Sequence, residues 1–204
     1  QHEYIGTRKL LIGIVLAVIT FWLFANSLIN VIPNLQTSFG SYLSTISIAV
    51  SLTALFCGMF VVGAGSLADY FGRVRLTIIG LWLNIFGSLL IIVSDYIPLL
   101  LMGRAIQGLS AALIMPATLS LIKAYYHGDK RQRALSFWSI GSWGGSGFAS
   151  LFGGMIATFL SWRWIFVFSI IVPLIAVLLI KGTPESKNQH ASSRQFDIVK
   201  IIDI

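Results

Sequence analysis

Charged residues are scarce in this chain of 204 residues, making up 10% of it, whereas a typical soluble domain carries about 25%. Hydrophobic residues make up 56%, and the mean hydropathy is +0.87. Water would not keep such a chain folded and dispersed, so lipid is the expected solvent. The single cysteine, Cys57, excludes an intramolecular disulfide.

Acidic residues are few, with 7 against 14 lysines and arginines, for a net charge of +7. Such an excess can indicate a nucleic-acid partner. Here the basic residues lie in short segments between apolar runs and not on one face, so no nucleic acid is expected. The three histidines, His2, His127 and His190, lie outside those runs and form no metal-binding pattern. No metal or organic cofactor is therefore expected.

Long apolar runs are abundant. Six are long enough to cross about 30 Å of hydrocarbon, which takes about 20 helical residues. The predicted helices cover residues 10–33, 46–65, 76–93, 97–121, 134–160 and 164–180. The sequence thus predicts an all-α membrane protein, with a six-helix bundle over residues 1–185. Residues 186–204 are predicted to be a cytoplasmic linker or interfacial segment leading to a missing downstream half.

The basic residues also predict an orientation. Twelve of the 14 precede the first helix, follow the sixth, or lie between helices 2 and 3 or 4 and 5. By the positive-inside rule, both termini then face the cytoplasm. Residues 34–45, 94–96 and 161–163 would face outside.

A charged connection over residues 65–76 joins the second and third predicted helices. Asp69 and Arg73 are four residues apart and would share a face of a helical turn. Gly65 allows close backbone approach, and Gly72 allows a tight bend. With Arg75, this segment is either an ordinary positive-inside loop with a stray acid or a conformational latch at the membrane edge.

Arg104 is the one charge well inside a predicted span, about 10 Å from the outer end of the fourth helix. Gln107 and Met115 continue the same helical face. A charge at this depth favours a functional role in an internal cavity. The alternative is a long side chain that reaches out to the membrane boundary.

Two further stripes of residues follow helical spacing. Trp22, Asn26 and Asn30 lie four apart on the first helix, and either hydrogen-bond to another helix or line a substrate cavity. Trp143 could add an aromatic wall to that cavity. The fifth helix carries a small-residue packing stripe, which allows another helix to approach closely: Gly141, Gly145, Ala149 and Gly153.

Three motifs together resemble the major facilitator superfamily. They are Gly65-x-Leu67-Ala68-Asp69-x-x-Gly72-Arg73-x-Arg75, Leu101-x-x-Arg104-x-x-Gln107-Gly108-x-x-Ala111-Ala112, and Trp162-Arg163-Trp164-Ile165-Phe166 with Pro173. The third is similar to the fourteen-helix drug:proton antiporters, and the run from Trp138 to Gly147 is similar to their quinolone efflux branch. The motifs cover nearly all of residues 8–185 in order.

The resemblance implies the amino-terminal half of a transporter with a 3+3 inverted repeat, located in a bacterial cytoplasmic membrane. It implies proton-coupled efflux of amphipathic drugs by alternating access, with the proton gradient as energy source. The charged connection would latch the two halves, and Arg104 with Gln107 would serve proton coupling. The partners implied are the lipid bilayer, drugs, protons and a carboxy-terminal transmembrane half.

The sequence departs from the antiporter pattern at two places. Ala149 and Ser150 stand where that pattern has Gly-Pro, and Asn26 and Asn30 occupy a region where relatives often carry an aspartate. The resemblance therefore leaves the location of the proton-carrying acids open.

Three alternatives match parts of this sequence pattern. A major facilitator uptake carrier for a small metabolite shares the same motifs. A six-helix oligomeric channel would need a polar constriction. Gly144-x-Ser146-Gly147 is similar to a serine-protease nucleophile pattern, but no histidine lies in a predicted span to act as the base.

Overall fold

The computed structural model describes residues 4–186. Over that range the chain forms a bundle of six helical segments joined by short turns. The predicted linker, apart from Ser186, lies outside the described residues. The segments are α1 (Arg8–Phe39), α2 (Leu43–Phe71), α3 (Arg73–Ile92), α4 (Ile97–Tyr125), α5 (residues 128–159) and α6 (Arg163–Ile180).

Five of these segments are individually long and apolar enough to cross a bilayer: α1, α2, α3, α4 and α6. The remaining segment, α5, is divided by a π-helical turn. Its parts are α-helix Gly128–Ser139, the π turn Ile140–Gly144 and α-helix Gly145–Phe159.

Helix α1 is irregular beyond its middle. An α-helix over Arg8–Ile19 passes into a π-helical turn over Thr20–Ala25 and a 3₁₀ turn over Leu28–Val31. A last α-helix follows over Ile32–Phe39. Pro33 lies in the first turn of this helix, where proline is tolerated. Gly40, at φ +58°, ends the helix in the left-handed conformation. The predicted end of the first helix at residue 33 was therefore wrong, since most of residues 34–45 are helical.

The connection predicted over residues 65–76 was also too long. Residues 65–71 form the last turns of α2, and only Gly72 interrupts the helical run before α3 begins at Arg73. A helix of 29 residues is about 44 Å long, which exceeds the hydrocarbon thickness of about 30 Å. The charged end of α2 can therefore project beyond the hydrocarbon as regular helix.

The helices pack in the order α2, α4, α3, α6, α1, α5, each against the next. Glycines allow close approach between α3 and α4. There a Cβ built on Gly103 would lie 2.8 Å from the carbonyl oxygen of Gly87. One buried apolar cluster lies at the end that carries Leu10, Leu121 and Ile180, and a second at the opposite end around Leu35 and Trp162. The former end is called the basic end below.

Tyr126 fixes the start of α1 at the basic end. Its hydroxyl donates to the carbonyl oxygen of Thr7 (2.7 Å), and the Gly6 N–H donates to the carbonyl of Tyr125 (2.8 Å). Burial, mainly, raises the pKa of Tyr126 to about 12, so the hydroxyl stays protonated and able to donate in alkaline solution as well as at neutral pH. Thr7 in turn caps α1, accepting the Leu10 N–H at 3.2 Å.

Arg163 closes the opposite end. Its guanidinium donates to the carbonyls of Ile92 (3.1 Å) and Ser94 (3.0 Å), and it stacks 4.7 Å from the centre of the Trp162 ring. The carbonyls at the end of a helix have no partner within that helix. Arg163 therefore caps α3 from the first residue of α6.

Candidate functional site

The turn between α2 and α3 holds a close ion pair. The Nε and Nη2 atoms of Arg73 lie 3.1 and 2.9 Å from Oδ1 of Asp69. Asp69 lies in the last turn of α2 and Arg73 begins α3. Of the residues predicted as a latch, the structure thus pairs Asp69 with Arg73 across Gly72. Gly65 lies further back on α2, where a Cβ would meet only Pro116, at 3.9 Å.

Glu185, just after α6, caps the first turn of α3. Its carboxylate accepts the backbone N–H of Val74 (2.9 Å) and of Arg75 (3.0 Å). The Arg75 side chain lies 3.9 Å from the same carboxylate. An acid at a helix N-terminus satisfies free N–H groups and is stabilised by the helix dipole. Glu185 therefore holds the segment after α6 against the charged turn.

Ser186 adds to this contact. The Arg73 N–H and Nη1 donate to the carbonyl oxygen and the hydroxyl of Ser186, both at 3.2 Å. The Tyr125 hydroxyl donates to the carbonyl of Pro184. Sequence reasoning gave no role to Pro184 and Glu185, at the end of the predicted bundle, and placed Ser186 in the predicted linker. The one available signal was an acid a few residues after the sixth helix, at the same end as Arg73 and Arg75.

Arg104 lies inside the bundle, with 1% of its surface exposed. Nε and Nη2 donate to the carbonyls of Ala49 (3.2 Å) and Val50 (3.0 Å) on α2, and Nη1 donates to Gln107 Oε1 at 3.0 Å. Backbone and amide oxygens surround the buried cation, and among the described residues no carboxylate pairs with it. The structure thus brings Arg104 and Gln107 together, as their spacing on one face indicated.

The Arg104 network extends through the bundle to α6. Gln107 Nε2 donates to the Ser88 hydroxyl (3.0 Å), which lies 3.1 Å from that of Ser169. Asn84 Nδ2 donates to the Ser169 carbonyl at 2.9 Å. Sequence reasoning missed Asn84, Ser88 and Ser169, because small polar residues on separate helices give no spacing signal. The network thus links α2, α3, α4 and α6 through hydrogen bonds.

The polar residues of α1 face α5. Asn26 Nδ2 donates to the Ser146 hydroxyl (3.3 Å), and Asn30 Nδ2 to that of Ser150 (3.4 Å). Asn26 is half-buried and Asn30 exposed. The Trp22 indole nitrogen is buried and has no hydrogen-bond partner among the described residues. These side chains form a polar seam that joins two helices while leaving part of its surface open.

The small-residue stripe of α5 lies against the same helix. A Cβ built on Gly141 would lie 3.4 Å from Val15 Cγ1, and one on Gly145 would lie 3.2 Å from Trp22 Cβ. At Ala149 the backbone carbonyl accepts the Ser27 hydroxyl at 3.0 Å. The stripe thus packs within this bundle, and the irregular turns of α1 and α5 lie side by side. Such π-helical turns often occur at functional sites.

Met115 and Trp143 lie outside the polar seam and the Arg104 network. Met115 is half-buried on α4, and Trp143 on α5 is 79% exposed. Within the described residues, neither side chain hydrogen-bonds in the polar seam or in the Arg104 network. Their assignment to a substrate cavity, like that of Trp22, Asn26 and Asn30, stays a prediction.

A family model described as Major Facilitator Superfamily matches residues 10–202. The chain belongs to the major facilitator superfamily. Its predicted fold class, the six-helix amino-terminal half of that fold, is confirmed, since solved transporters share it. A D-xylose-proton symporter matches with a TM-score of 0.75 and 17% identity, over 87% of this chain and 48% of its own. A peptide transporter named POT matches with a TM-score of 0.73 and 18% identity, over 86% and 37%.

Curated relatives are much closer in sequence. Quinolone resistance protein NorB from Staphylococcus aureus, in strains JH9 and Newman, is 66% identical over 202 residues. The match covers 99% of this chain and 44% of each relative, so the chain spans less than half of their length. These findings describe a membrane transporter and not an enzyme, which decides against the serine-protease alternative.

Proposed function

We propose that this chain forms the amino-terminal bundle of a proton-driven efflux pump for amphipathic drugs of the quinolone type. The observation that carries the proposal is the 66% identity to quinolone resistance protein NorB across 99% of the chain. A carboxy-terminal transmembrane half of the same protein completes the pump. The protein lies in the bacterial cytoplasmic membrane with its amino terminus, and hence the basic end, in the cytoplasm.

Transport proceeds by alternating access, in which two six-helix bundles rock around a midplane cavity. The polar seam of α1 supplies part of the cavity wall through Trp22, Asn26 and Asn30, with Met115 and Trp143 as further apolar surface. A wall with aromatic and neutral hydrogen-bonding groups suits bulky substrates with loose specificity.

The charged turn acts as the conformational latch. In the cytoplasm-closed state, Asp69 faces a helix N-terminus of the other half, as the resemblance implies. Arg73 and Glu185 hold the turn in shape from within this half. An acid at a helix N-terminus contributes about 0.3–1 kcal/mol when exposed and up to about 2 when partly buried. An interaction of that size biases two conformations and remains reversible.

Proton coupling uses Arg104 and Gln107 as a fixed positive region near the cavity. Within the described residues Arg104 has carbonyl and amide partners only, and the acids closest in sequence, Asp95 and Asp129, lie at the two ends of the bundle. We therefore place the proton-carrying acids in the carboxy-terminal half, where a nearby guanidinium lowers their proton affinity. The proton gradient is the energy source, and no organic cofactor takes part.

The test is drug accumulation in bacteria that lack their own quinolone pumps and express the full-length protein. We expect these cells to hold less of a fluorescent quinolone than cells carrying an empty vector, and a proton uncoupler to abolish the difference. Higher accumulation in the expressing cells would instead favour the uptake carrier. Equal accumulation with and without the protein, at verified expression in the membrane, would refute the proposal.

A further inference from the structure

An open groove lies between α1 and α5 at the basic end. The two helices touch at Gly141, where a Cβ would lie 3.4 Å from Val15 Cγ1. Towards the basic end they leave a groove of about 420 Å³. Its floor is apolar and accessible, since Ile12 is 54% and Phe137 45% exposed.

Two arginines line the groove, Arg8 from α1 and Arg133 from α5. Both are exposed, and within residues 4–186 neither has a hydrogen-bond or ion-pair partner. Arg131 differs, since its guanidinium donates to the carbonyls of Tyr126 (2.7 Å) and Lys123 (2.8 Å). The acid nearest to Arg133 in sequence, Asp129, lines an adjacent hollow on α5 together with Arg133 and forms no ion pair among the described residues. Within the described residues, the groove is therefore lined by two arginines that form no ion pair.

The backbone around these arginines is fixed. Thr7, next to Arg8, accepts the Tyr126 hydroxyl at 2.7 Å. Tyr126 directly precedes the turn at which α5 begins, and Arg131 ties the first turn of α5 back to the end of α4. The starts of α1 and α5 are thus held beside each other, and both arginines line the one groove between them.

We propose that this groove binds an anionic phospholipid, with its phosphate between Arg8 and Arg133 and an acyl chain along Ile12 and Phe137. The arginine fork suits phosphate oxygens, and basic pockets between transmembrane helices recognise anionic headgroups. The depth is also suitable, because Arg8 is the first residue of the apolar helix α1. The volume lies within the range of small-molecule sites.

A lipid fits the observations better than a soluble anion or a protein segment. A soluble anion would not account for the apolar floor below the arginines. A helix of the other half would bury two unpaired arginines unless it supplied acids at matching positions. The proposal does not depend on which substrate the pump carries.

The experiment is native mass spectrometry of the full-length protein, purified and titrated with phosphatidylglycerol or phosphatidylcholine. The test variant is Arg8→Gln/Arg133→Gln. The matched control, Lys9→Gln/Lys130→Gln, removes two charges from the same end but none from the groove. Each basic side chain is expected to contribute about fivefold to binding an anionic headgroup, so the test variant should bind phosphatidylglycerol about 25-fold more weakly. The control should retain wild-type binding of one phosphatidylglycerol.

A second variant, Ile12→Trp, fills the groove without changing its charge and should also displace the lipid. Each variant is first checked for a monodisperse, folded protein. Equal loss in test and control pairs would indicate diffuse surface charge and overturn the proposal. Equal binding of phosphatidylcholine, no retained lipid in the wild type, or no effect of Ile12→Trp would overturn it as well.

Discussion

The carboxylate of Glu185 lies directly over Gly72. A Cβ built on Gly72 would lie 2.6 Å from Oε1 of Glu185, closer than real Cβ contacts come. Gly72 also has φ +115°, a conformation that only glycine adopts readily. The sharp turn between α2 and α3 and the cap on α3 therefore both require glycine at this position.

Gly72→Ala is expected to lower the thermal stability of the full-length protein by more than backbone strain alone would lower it. The left-handed backbone costs about 1–2 kcal/mol with a side chain, and displacing Glu185 from the α3 N-terminus adds about 1 kcal/mol. Gly182→Ala is the matched control, because Gly182 has φ +92° but open space around it. Equal destabilisation by the two substitutions, measured by thermal unfolding, would show that the Glu185 contact contributes nothing.

Asp69→Asn is expected to reduce drug export several-fold while leaving membrane insertion intact. The substitution keeps the shape of the side chain but removes the charge that Arg73 holds at 2.9 Å and that the latch uses. Export from whole cells and the amount of protein in the membrane are the two measurements.

Asp95→Asn serves as the control for this prediction. Asp95 lies at the opposite end of the bundle, where its side chain is 89% exposed and pairs with Arg163 at 3.5 Å. Export by that variant should match the wild type. If Asp69→Asn exported normally, the latch would have no role in transport.

Arg104→Lys is expected to lower export at least tenfold and to destabilise the protein. A lysine carries the charge but lacks the planar fork that reaches Ala49, Val50 and Gln107 together. Each lost charged hydrogen bond inside the bundle costs about 1.5–3 kcal/mol.

Arg131→Lys is the matched control for Arg104→Lys. Arg131 also donates to two backbone carbonyls, but at the bundle end, where water can replace it. The effect of Arg131→Lys on export and on the unfolding temperature should be small. Similar losses in both variants would mean that burial of the Arg104 fork is unimportant.

Helices and buried charge could be predicted from the sequence because both leave strong signals. Apolar runs located the helices, and the four-residue spacing of Asp69 and Arg73 indicated their contact. The helix ends could not be predicted, because residues 65–71 are polar enough to read as a loop yet continue α2 beyond the hydrocarbon. Glu185 could not be assigned either, since its partners Val74 and Arg75 contribute backbone N–H groups, which carry no sequence signal.

The substitution Gly153→Ala should separate α1 from α5. A Cβ at Gly153 would lie 2.7 Å from the carbonyl oxygen of Ser27, a backbone atom that cannot rotate away. Overpacking of this kind costs about 1–3 kcal/mol. Gly154→Ala is the neighbouring control, because nothing lies within 4 Å of its Cβ position, and alanine there should stabilise the helix by up to about 1 kcal/mol. The thermal unfolding of the two variants should therefore shift in opposite directions, and a shift in the same direction would contradict the direct packing of the α5 stripe on α1.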